Sequence, residues 1–419
     1  MKNLLIQSAK ILDHQSPFNG KIVDVLISDG RISEIGKNIN VSDKSTIIFS
    51  AKGQVLSPGF FDLNANFGEP GLETKEDMGT GCMTAAAGGF TGLALMPNTQ
   101  PPIHSKAEVS YLISKSKTNL VDIYPLGCIS HNREGKELAE MYDMQQAGAV
   151  AFSNHKNTIT NSGVMQRAML YIKNINSTLL SFAEDKSLTG QNMVNESAQT
   201  TMLGFKGIPA IAEEIMVMRD IQLCSYTQTP IHISRISTAG SVQLIAQARK
   251  NGLPVTCDVA AYNLYDTDAA LQKFDSNYKV KPPLRSAHDV AALIDGLVQG
   301  VIDIIVSDHT PQDVEAKKVE FDYAEFGMIG CESFFGIVFK CLAEKMPLDK
   351  IIETFTTNPR KILKLPVYSI AENQPACLTL FSLDDYCFSN NHIQSKSNNT
   401  PYIGSMLKGK AINIFTPGN

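Results

Sequence analysis

Residues 58–71 read PGFFDLNANFGEPG. A short apolar run ends in the polar residues Asn64 and Asn66, and a turn rich in glycine and proline follows. The same arrangement recurs along the chain. It predicts eight short strands, with the sequences GFFDLNAN, TGLALMPN, VDIYPLGCI, AVAFSN, TLLSFAED, TPIHISRIS, LPVTCDVAAY and IDIIVSDHT.

Segments with helical periodicity lie between these strands, and several of them end at glycine, a common helix terminator. Regular alternation of strands and helices predicts an α/β fold, a parallel (β/α)₈ TIM barrel. In such barrels the active site lies at the C-terminal ends of the strands. The polar residues expected at that face are Asn64, Asn66, Asn98, Asn154, Glu184, Asp185, Arg235, Asp308 and His309.

The two ends of the chain have a different pattern. Residues 1–55 alternate with a period of two and are interrupted by Gly, Asn and Asp, which predicts short strands. Similar strands return after the helical segment PLDKIIETFTTNPRKILKL. We therefore expect a small composite β-sandwich domain formed by residues 1–55 and 366–419, beside a barrel formed by residues 56–365.

Composition narrows the class of protein. The 419 residues carry a net charge of −5 without a basic stripe, so we expect no nucleic-acid partner. No apolar run is typical of a transmembrane span, and the N-terminus lacks the apolar core of a signal peptide. The eight cysteines include no C-x-x-C pair, which favours buried reduced thiols. These features predict a cytoplasmic protein that does not associate with membranes.

Several segments carry a family resemblance. They are SPGFFDLNANFGEPGLETKEDMGTG, AAAGGFTGLALMPNTQPP, HISRIST, KPPLR, VSDHTP, TTNPRKIL and SKSNNTPYIG. Together they resemble the longer type of dihydroorotase, in the amidohydrolase superfamily. The resemblance implies a barrel with a small β domain. It also implies ring opening of dihydroorotate, or its formation from carbamoyl aspartate, in pyrimidine synthesis. The family uses one or two zinc ions for this chemistry.

The metal-ligand positions implied by the resemblance are occupied by Asn64, Asn66, Asn154, Phe182, Arg235 and Asp308. Of these, only Asp308 keeps the family's residue. Carboxamides are poor zinc ligands, and neither a phenyl ring nor a guanidinium can serve. The sequence therefore predicts a degenerate member without a zinc cofactor. A rebuilt site would need three or four of the remaining candidates to converge, and these are Asp308, His309, His155 and His232. We interpret His232 instead as a packed, hydrogen-bonded barrel residue and His155 as a loop residue.

The positions that contact substrate in the family have also changed. Gly68 replaces an arginine and Lys281 replaces an asparagine, whereas Asn98 is kept. The predicted ligand-binding residues are Asn98, Arg235, Lys281 and His309. We expect the guanidinium of Arg235 to replace the positive charge of the metal and to pair with Asp308, directly or through Asn64 and Asn66.

Three hypotheses of function follow. The first is a non-catalytic homologue that serves as a structural or regulatory partner of aspartate carbamoyltransferase. The resemblance also implies that this chain forms a homodimer. The second is an active dihydroorotase or cyclic amidohydrolase, with Asp308 as general base and Arg235 or Lys281 as electrophile. The third is a sensor that binds a small acidic metabolite without chemistry.

Overall fold

The chain ends build one mixed sheet. The computed structural model describes residues 3–43, 45–117 and 119–417. Strand order in this sheet is β17-β16-β5-β1-β2-β3, and β4 pairs with β1. Strands are numbered along the chain, and those of this sheet are β1 (Leu4–Ile11), β2 (Ile22–Ser28), β3 (Arg31–Gly36), β4 (Ile47–Ser50), β5 (Val55–Pro58), β16 (Leu378–Cys387) and β17 (Met406–Phe415).

Eight parallel strands form the barrel, in the order in which they follow one another along the chain. A parallel bridge between Ala65 and His309 brings the last strand beside the first. The eight predicted strands are therefore confirmed. They are β6 (Phe60–Ala65), β7 (Phe90–Leu95), β8 (Asp122–Gly127), β9 (Ala151–Ser153), β10 (Leu179–Phe182), β13 (Ile231–Ser234), β14 (Val255–Ala260) and β15 (Ile304–Val306).

Helices connect the barrel strands on the outside, as the sequence periodicity predicts. A short parallel pair, β11 (Val194–Asn195) with β12 (Gly207–Ile208), lies within one of these connections. The helices are α1 (Met78–Ala87), α2 (Lys106–Ser116), α3 (Met141–Gln146), α4 (Ser162–Asn174), α5 (Lys186–Thr189), α6 (Ala198–Met202), α7 (Ile211–Thr227), α8 (Ala239–Lys250), α9 (Tyr262–Tyr265), α10 (Ala287–Val298), α11 (Val314–Lys317), α12 (Phe334–Leu342), α13 (Leu348–Glu353) and α14 (Thr357–Ile362).

Local sequence explains where α1 begins and ends. Asp77 precedes the helix and its side chain accepts a hydrogen bond from the backbone N–H of Thr80, which satisfies one of the free donors of the first turn. The Thr80 hydroxyl completes the capping box. Gly88 ends the helix, as the Gly88-Gly89 pair predicts, and Gly89 turns the chain with a φ of 90°. The capping box therefore fixes where the loop before α1 ends and the helix begins. Residues of this loop line one wall of the barrel mouth.

Two apolar cores match the two parts of the fold. Every residue of β6 is buried, which is expected for a strand covered on both faces. The large core fills the barrel and its helix layer, whereas a separate cluster lies on the small sheet. The predicted barrel with a sheet domain from both chain ends is thus confirmed, while the predicted limits of the domains stay a prediction. Within the described residues, no helix has both the length and the apolar character needed to span a bilayer.

Candidate functional site

A single carboxylate organises the mouth of the barrel. Asp308 follows β15 and is 1% exposed. Its Oδ1 accepts a hydrogen bond from Nη1 of Arg235 at 3.2 Å. Its Oδ2 accepts from Nζ of Lys156 at 2.7 Å and from the hydroxyl of Tyr262 at 2.8 Å. One buried negative charge therefore holds two positive charges at the carboxyl ends of the strands.

The contact between Arg235 and Asp308 is the direct pair that the sequence predicts. Arg235 is 1% exposed and follows β13. Its guanidinium also lies over the ring of Phe182, 5.1 Å from the centroid. A cation over an aromatic face is attracted by the ring quadrupole. Two of the replaced metal-ligand positions thus contact each other and stabilise the guanidinium where the family places a metal.

Sequence reasoning missed Lys156. It lies two residues after Asn154 in the segment AFSNHK, just beyond the end of β9. Burial lowers the pKa of Lys156 to about 8, although the neighbouring Asp308 opposes this shift. A signal was present, since a cation directly after a barrel strand is placed at the active-site face. The sequence did not reveal that its side chain turns inward.

The asparagines at the implied metal-ligand positions have different surroundings. The side chain of Asn154 accepts from the backbone N–H groups of Ile129 and Ser130, so it holds the loop after β8. Asn66 donates to the backbone carbonyl of His309 at 2.8 Å. Asn64 is fully buried, and neither of its side-chain polar atoms has a hydrogen-bond partner in the described part of the chain. The expected relay from Arg235 to Asp308 through these asparagines is therefore unnecessary.

The two histidines considered as replacement ligands lie in different environments. Nδ1 of His232 is hydrogen-bonded to the hydroxyl of Thr256 at 2.9 Å, and its Nε2 is hydrogen-bonded to the carboxylate of Asp258 at 2.8 Å. The residue is fully buried, as predicted for a packed barrel residue. His155 lies in the turn that follows β9, as predicted for a loop residue, but it is only 7% exposed and lines the mouth cavity. Burial and the adjacent Arg235 lower its pKa well below the ordinary value, so its imidazole is neutral.

The predicted ligand-binding residues do not all reach the cavity. Asn98 lines it. Lys281 forms an ion pair with Glu184 at 2.6 Å. His309 is fully buried, and its Nδ1 accepts from the backbone N–H of Gly330 at 3.1 Å. Arg235 is directed at Asp308 beneath the cavity. The structure thus places one of the four predicted residues on the cavity wall.

The cavity itself has a volume of about 210 Å³. Its wall also contains Lys75, Arg133 and Gln312. Of these, sequence reasoning missed Arg133, whereas the resemblance places Gln312 at a substrate-contact position where the family has a histidine. Neither cation forms an ion pair within the part of the chain that the structure describes. Gly68 lies in the same wall, where the resemblance implies an arginine. Lys75 and Arg133 therefore make the wall positively charged, although neither stands at position 68, where the resemblance implies the arginine.

The donor set does not fit zinc. Among residues 3–43, 45–117 and 119–417, no group of three or more His, Cys, Asp or Glu side chains is arranged to hold a metal ion. The one carboxylate kept from the family, Asp308, is already bound by Arg235 and Lys156. A divalent cation at this place would be repelled by both of them. We therefore derive no chemical step that passes through zinc.

Comparison of folds defines the class of protein. An L-hydantoinase from Arthrobacter aurescens superposes with a TM-score of 0.87 at 21% identity, over 100% of this chain and 96% of that one. A D-hydantoinase superposes with a TM-score of 0.82 at 19% identity. At this identity the likeness concerns the fold, which is the barrel and sheet domain of the hydantoinases.

Sequence comparison gives the family. Residues 53–241 match the family described as Dihydro-orotase-like. A dihydroorotase of Acetivibrio thermocellus is 39% identical over 99% of this chain and 98% of its own length. A dihydroorotase of Pelotomaculum thermopropionicum is 40% identical over 97% of this chain and 95% of its own length. The chain belongs to the dihydroorotase-like family.

Proposed function

We propose that this chain is a dihydroorotase-family protein of the pyrimidine pathway that does not hydrolyse its ligand through a metal. In this proposal the barrel mouth binds a small acidic molecule of the dihydroorotate and carbamoyl aspartate class. The protein then acts by binding, as a regulatory or structural member of the pathway.

The observation that carries this proposal is the pairing of Asp308 with both Arg235 and Lys156. Amide hydrolysis requires stabilisation of a developing oxyanion and a generated nucleophile, and metal hydrolases use the metal for both. Here the remaining carboxylate neutralises two protein cations instead. A general base alone contributes only about 10²- to 10⁴-fold to a rate.

The test is the rate of dihydroorotate ring opening by the purified protein, and of the reverse reaction from carbamoyl aspartate, with and without added zinc. We expect no turnover above background in either direction. Turnover that requires zinc would overturn the proposal and imply a rebuilt metal site. Turnover without zinc that Asp308→Asn abolishes would also overturn it, in favour of a metal-free mechanism.

An active dihydroorotase is the second candidate. The similarity over almost the whole chain to relatives named dihydroorotase favours this candidate over a partner protein. Asp308 would act as general base, with Arg235 or Lys281 as electrophile. The ion pairs of Asp308 with Arg235 and Lys156 favour a protein that binds its ligand without a metal. We give these ion pairs more weight because they involve the residues that would have to carry out the reaction. The turnover assay above separates the two candidates.

A partnership with aspartate carbamoyltransferase, the homodimer and the cytoplasmic location stay predictions. The partnership would be supported by co-elution of this chain with the transferase in size-exclusion chromatography of a mixture. Separate elution at micromolar concentrations would contradict it. The elution volume of this chain alone tests the homodimer.

A further inference from the structure

We propose that Arg133 recognises the carboxylate of a ligand in the mouth cavity, and that this ligand also carries an amide N–H. This inference rests on the proposed function, since it concerns the ligand of the same cavity. It assigns recognition of the ligand carboxylate to a residue that is not one of the substrate-contact positions implied by the family resemblance.

The first argument is charge. Four of the cations near the barrel mouth are Arg235, Lys156, Arg133 and Lys281. Three of them have carboxylate partners: Asp308 binds the first two, and Glu184 binds Lys281. Arg133 forms no ion pair within the described residues, and its buried Nε has no hydrogen-bond partner. Because a half-buried guanidinium without a partner charge is costly, an anion in the cavity would stabilise it.

Backbone geometry is the second argument. Asn132 and Arg133 both have left-handed backbone, with φ values of 49° and 59°. His155, Arg235 and Asp308 share this property, with φ values of 55°, 57° and 47°. Non-glycine residues in this region are strained, and such residues cluster at ligand sites where the surrounding structure holds them. Five of the thirteen non-glycine residues with positive φ in the described part of the chain thus lie at the barrel mouth.

The third argument explains why recognition moved away from residue 68. A Cβ atom on Gly68 would lie 1.8 Å from the backbone carbonyl oxygen of Leu72 and 2.9 Å from that of Glu76. No side chain fits there while the loop keeps this conformation. Arg133 and Lys75 line the same cavity and carry the charge that an arginine at position 68 would carry.

Unpartnered acceptors indicate the second feature of the ligand. Among the residues that the structure describes, none donates a hydrogen bond to the side-chain oxygens of Asn66, Asn98 and Gln312, and all three residues line the cavity. The amide nitrogen of Asn66 donates to His309, and that of Gln312 donates to Phe326, which fixes the orientation of both carboxamides. A ligand with an amide or ureido N–H would supply a donor that a plain dicarboxylate lacks.

The test is isothermal titration calorimetry of the full chain with carbamoyl aspartate and with succinate, which has the same two carboxylates but no N–H. We expect carbamoyl aspartate to bind more tightly than succinate. Arg133→Gln should weaken binding about 10- to 100-fold, because a hydrogen bond to a charged group is lost. Arg133→Lys should keep part of the affinity. Arg167→Gln, at an exposed position of α4, is the matched control and should bind like the wild type.

Failure of this inference differs from failure of the proposed function. Equal binding by Arg133→Gln and wild type, both with wild-type melting temperatures, would overturn the role of Arg133. Equal affinity for succinate and carbamoyl aspartate would overturn the N–H requirement, and absence of binding at millimolar concentrations would overturn the inference entirely. Turnover of dihydroorotate would overturn only the proposed function. In that case Arg133→Gln should raise KM with little change in kcat.

Discussion

The guanidinium of Arg235 lies 3.2 Å from the carboxylate of Asp308, and the two residues are 73 positions apart in the chain. Both are about 1% exposed. The pair occupies two positions where the family resemblance implies metal ligands. Arg235 and Lys156 thus supply positive charge on the same carboxylate that a metal would otherwise bind. This relationship governs how the mouth of the barrel responds to substitution.

Asp308→Asn should destabilise the protein strongly. The substitution removes a charge that two buried cations share, and breaking a buried pair typically costs about 3–5 kcal/mol of the free energy of unfolding. Urea denaturation followed by circular dichroism measures the loss. Asp384→Asn, at an exposed position of β16, is the matched control and should change stability by less than about 0.5 kcal/mol. Equal effects of the two substitutions would contradict the role of the cluster.

Removing the two cations together with the carboxylate should restore stability. The combination Asp308→Asn, Arg235→Met and Lys156→Met leaves no unpaired charge, and an apolar replacement of a buried ion pair is often neutral or stabilising. We expect this triple variant to unfold at a higher urea concentration than Asp308→Asn alone. If the triple variant is the less stable of the two, the three charges do not act as one cluster.

Zinc should not remain bound to the wild-type chain. We expect elemental analysis after incubation with zinc and desalting to find no stoichiometric metal. Restoring the family's ligands should allow the chain to retain zinc, provided that Lys156 is also replaced. Otherwise the ammonium group of Lys156, which pairs with Asp308, repels the metal. The variant to test combines Asn64→His, Asn66→His, Asn154→Asp, Phe182→His, Arg235→His and Lys156→Met.

A matched control separates the loss of a cation from the gain of ligands. Arg235→Gln alone removes one charge and supplies no ligand, so it should not retain zinc. One zinc ion bound per wild-type chain would contradict our assignment of the site. Thermal melts of each variant establish that it is folded before its metal content is compared.

Restoring an arginine at position 68 should not restore ligand recognition. The Cβ atom of such a residue would overlap the backbone carbonyl of Leu72, so we expect Gly68→Arg to lower stability by about 1–3 kcal/mol. Gly36→Ala is the control, since a Cβ there meets only Ile39 at 3.8 Å. Denaturation and carbamoyl aspartate titration measure the two effects. Tighter ligand binding by Gly68→Arg than by wild type would show that the loop has room.

Lys317 should make stability depend on pH. Burial and the neighbouring Lys279 lower its pKa to about 7, while Asp275 and Glu325 oppose the shift. Its Nζ donates to the backbone carbonyls of Glu325 and Gly327. The unfolded chain, with a lysine pKa of about 10.4, binds more protons between the two pKa values. Stability from this residue therefore rises with pH above about 7, by up to about 1.4 kcal/mol per pH unit.

The measurement is urea denaturation at intervals from pH 6.5 to 9, in wild type and in Lys317→Met. Wild type should gain stability relative to the variant as the pH rises. The difference between the two proteins is the quantity to follow, because other groups titrate in both. A difference that stays constant across this range would mean that Lys317 titrates at its ordinary pKa.

The sequence predicted the fold well because its signals are local. Each barrel strand is a short apolar run bounded by turn residues, and each helix has its own periodicity and caps, as at Asp77 and Gly88. It also predicted that Asn64, Phe182 and Arg235 occupy metal-ligand positions, since the surrounding segments align with the family without any knowledge of contacts. Pairing of Arg235 with Asp308 followed from the chemistry of a cation and a carboxylate at one face of a barrel.

Only the tertiary structure decided how the mouth is built. Lys156 and Asp308 are separated by 152 positions, and no local pattern indicates that this lysine turns inward while Lys281 pairs with Glu184. The burial of His155 and the unpaired state of Arg133 likewise depend on neighbours from other strands. The sequence by itself therefore determined the barrel and which side chains stand at the positions where the resemblance implies metal ligands, because those depend on periodicity and on side-chain chemistry. The structure decided which charges meet, because those distances depend on how the strands close into a barrel.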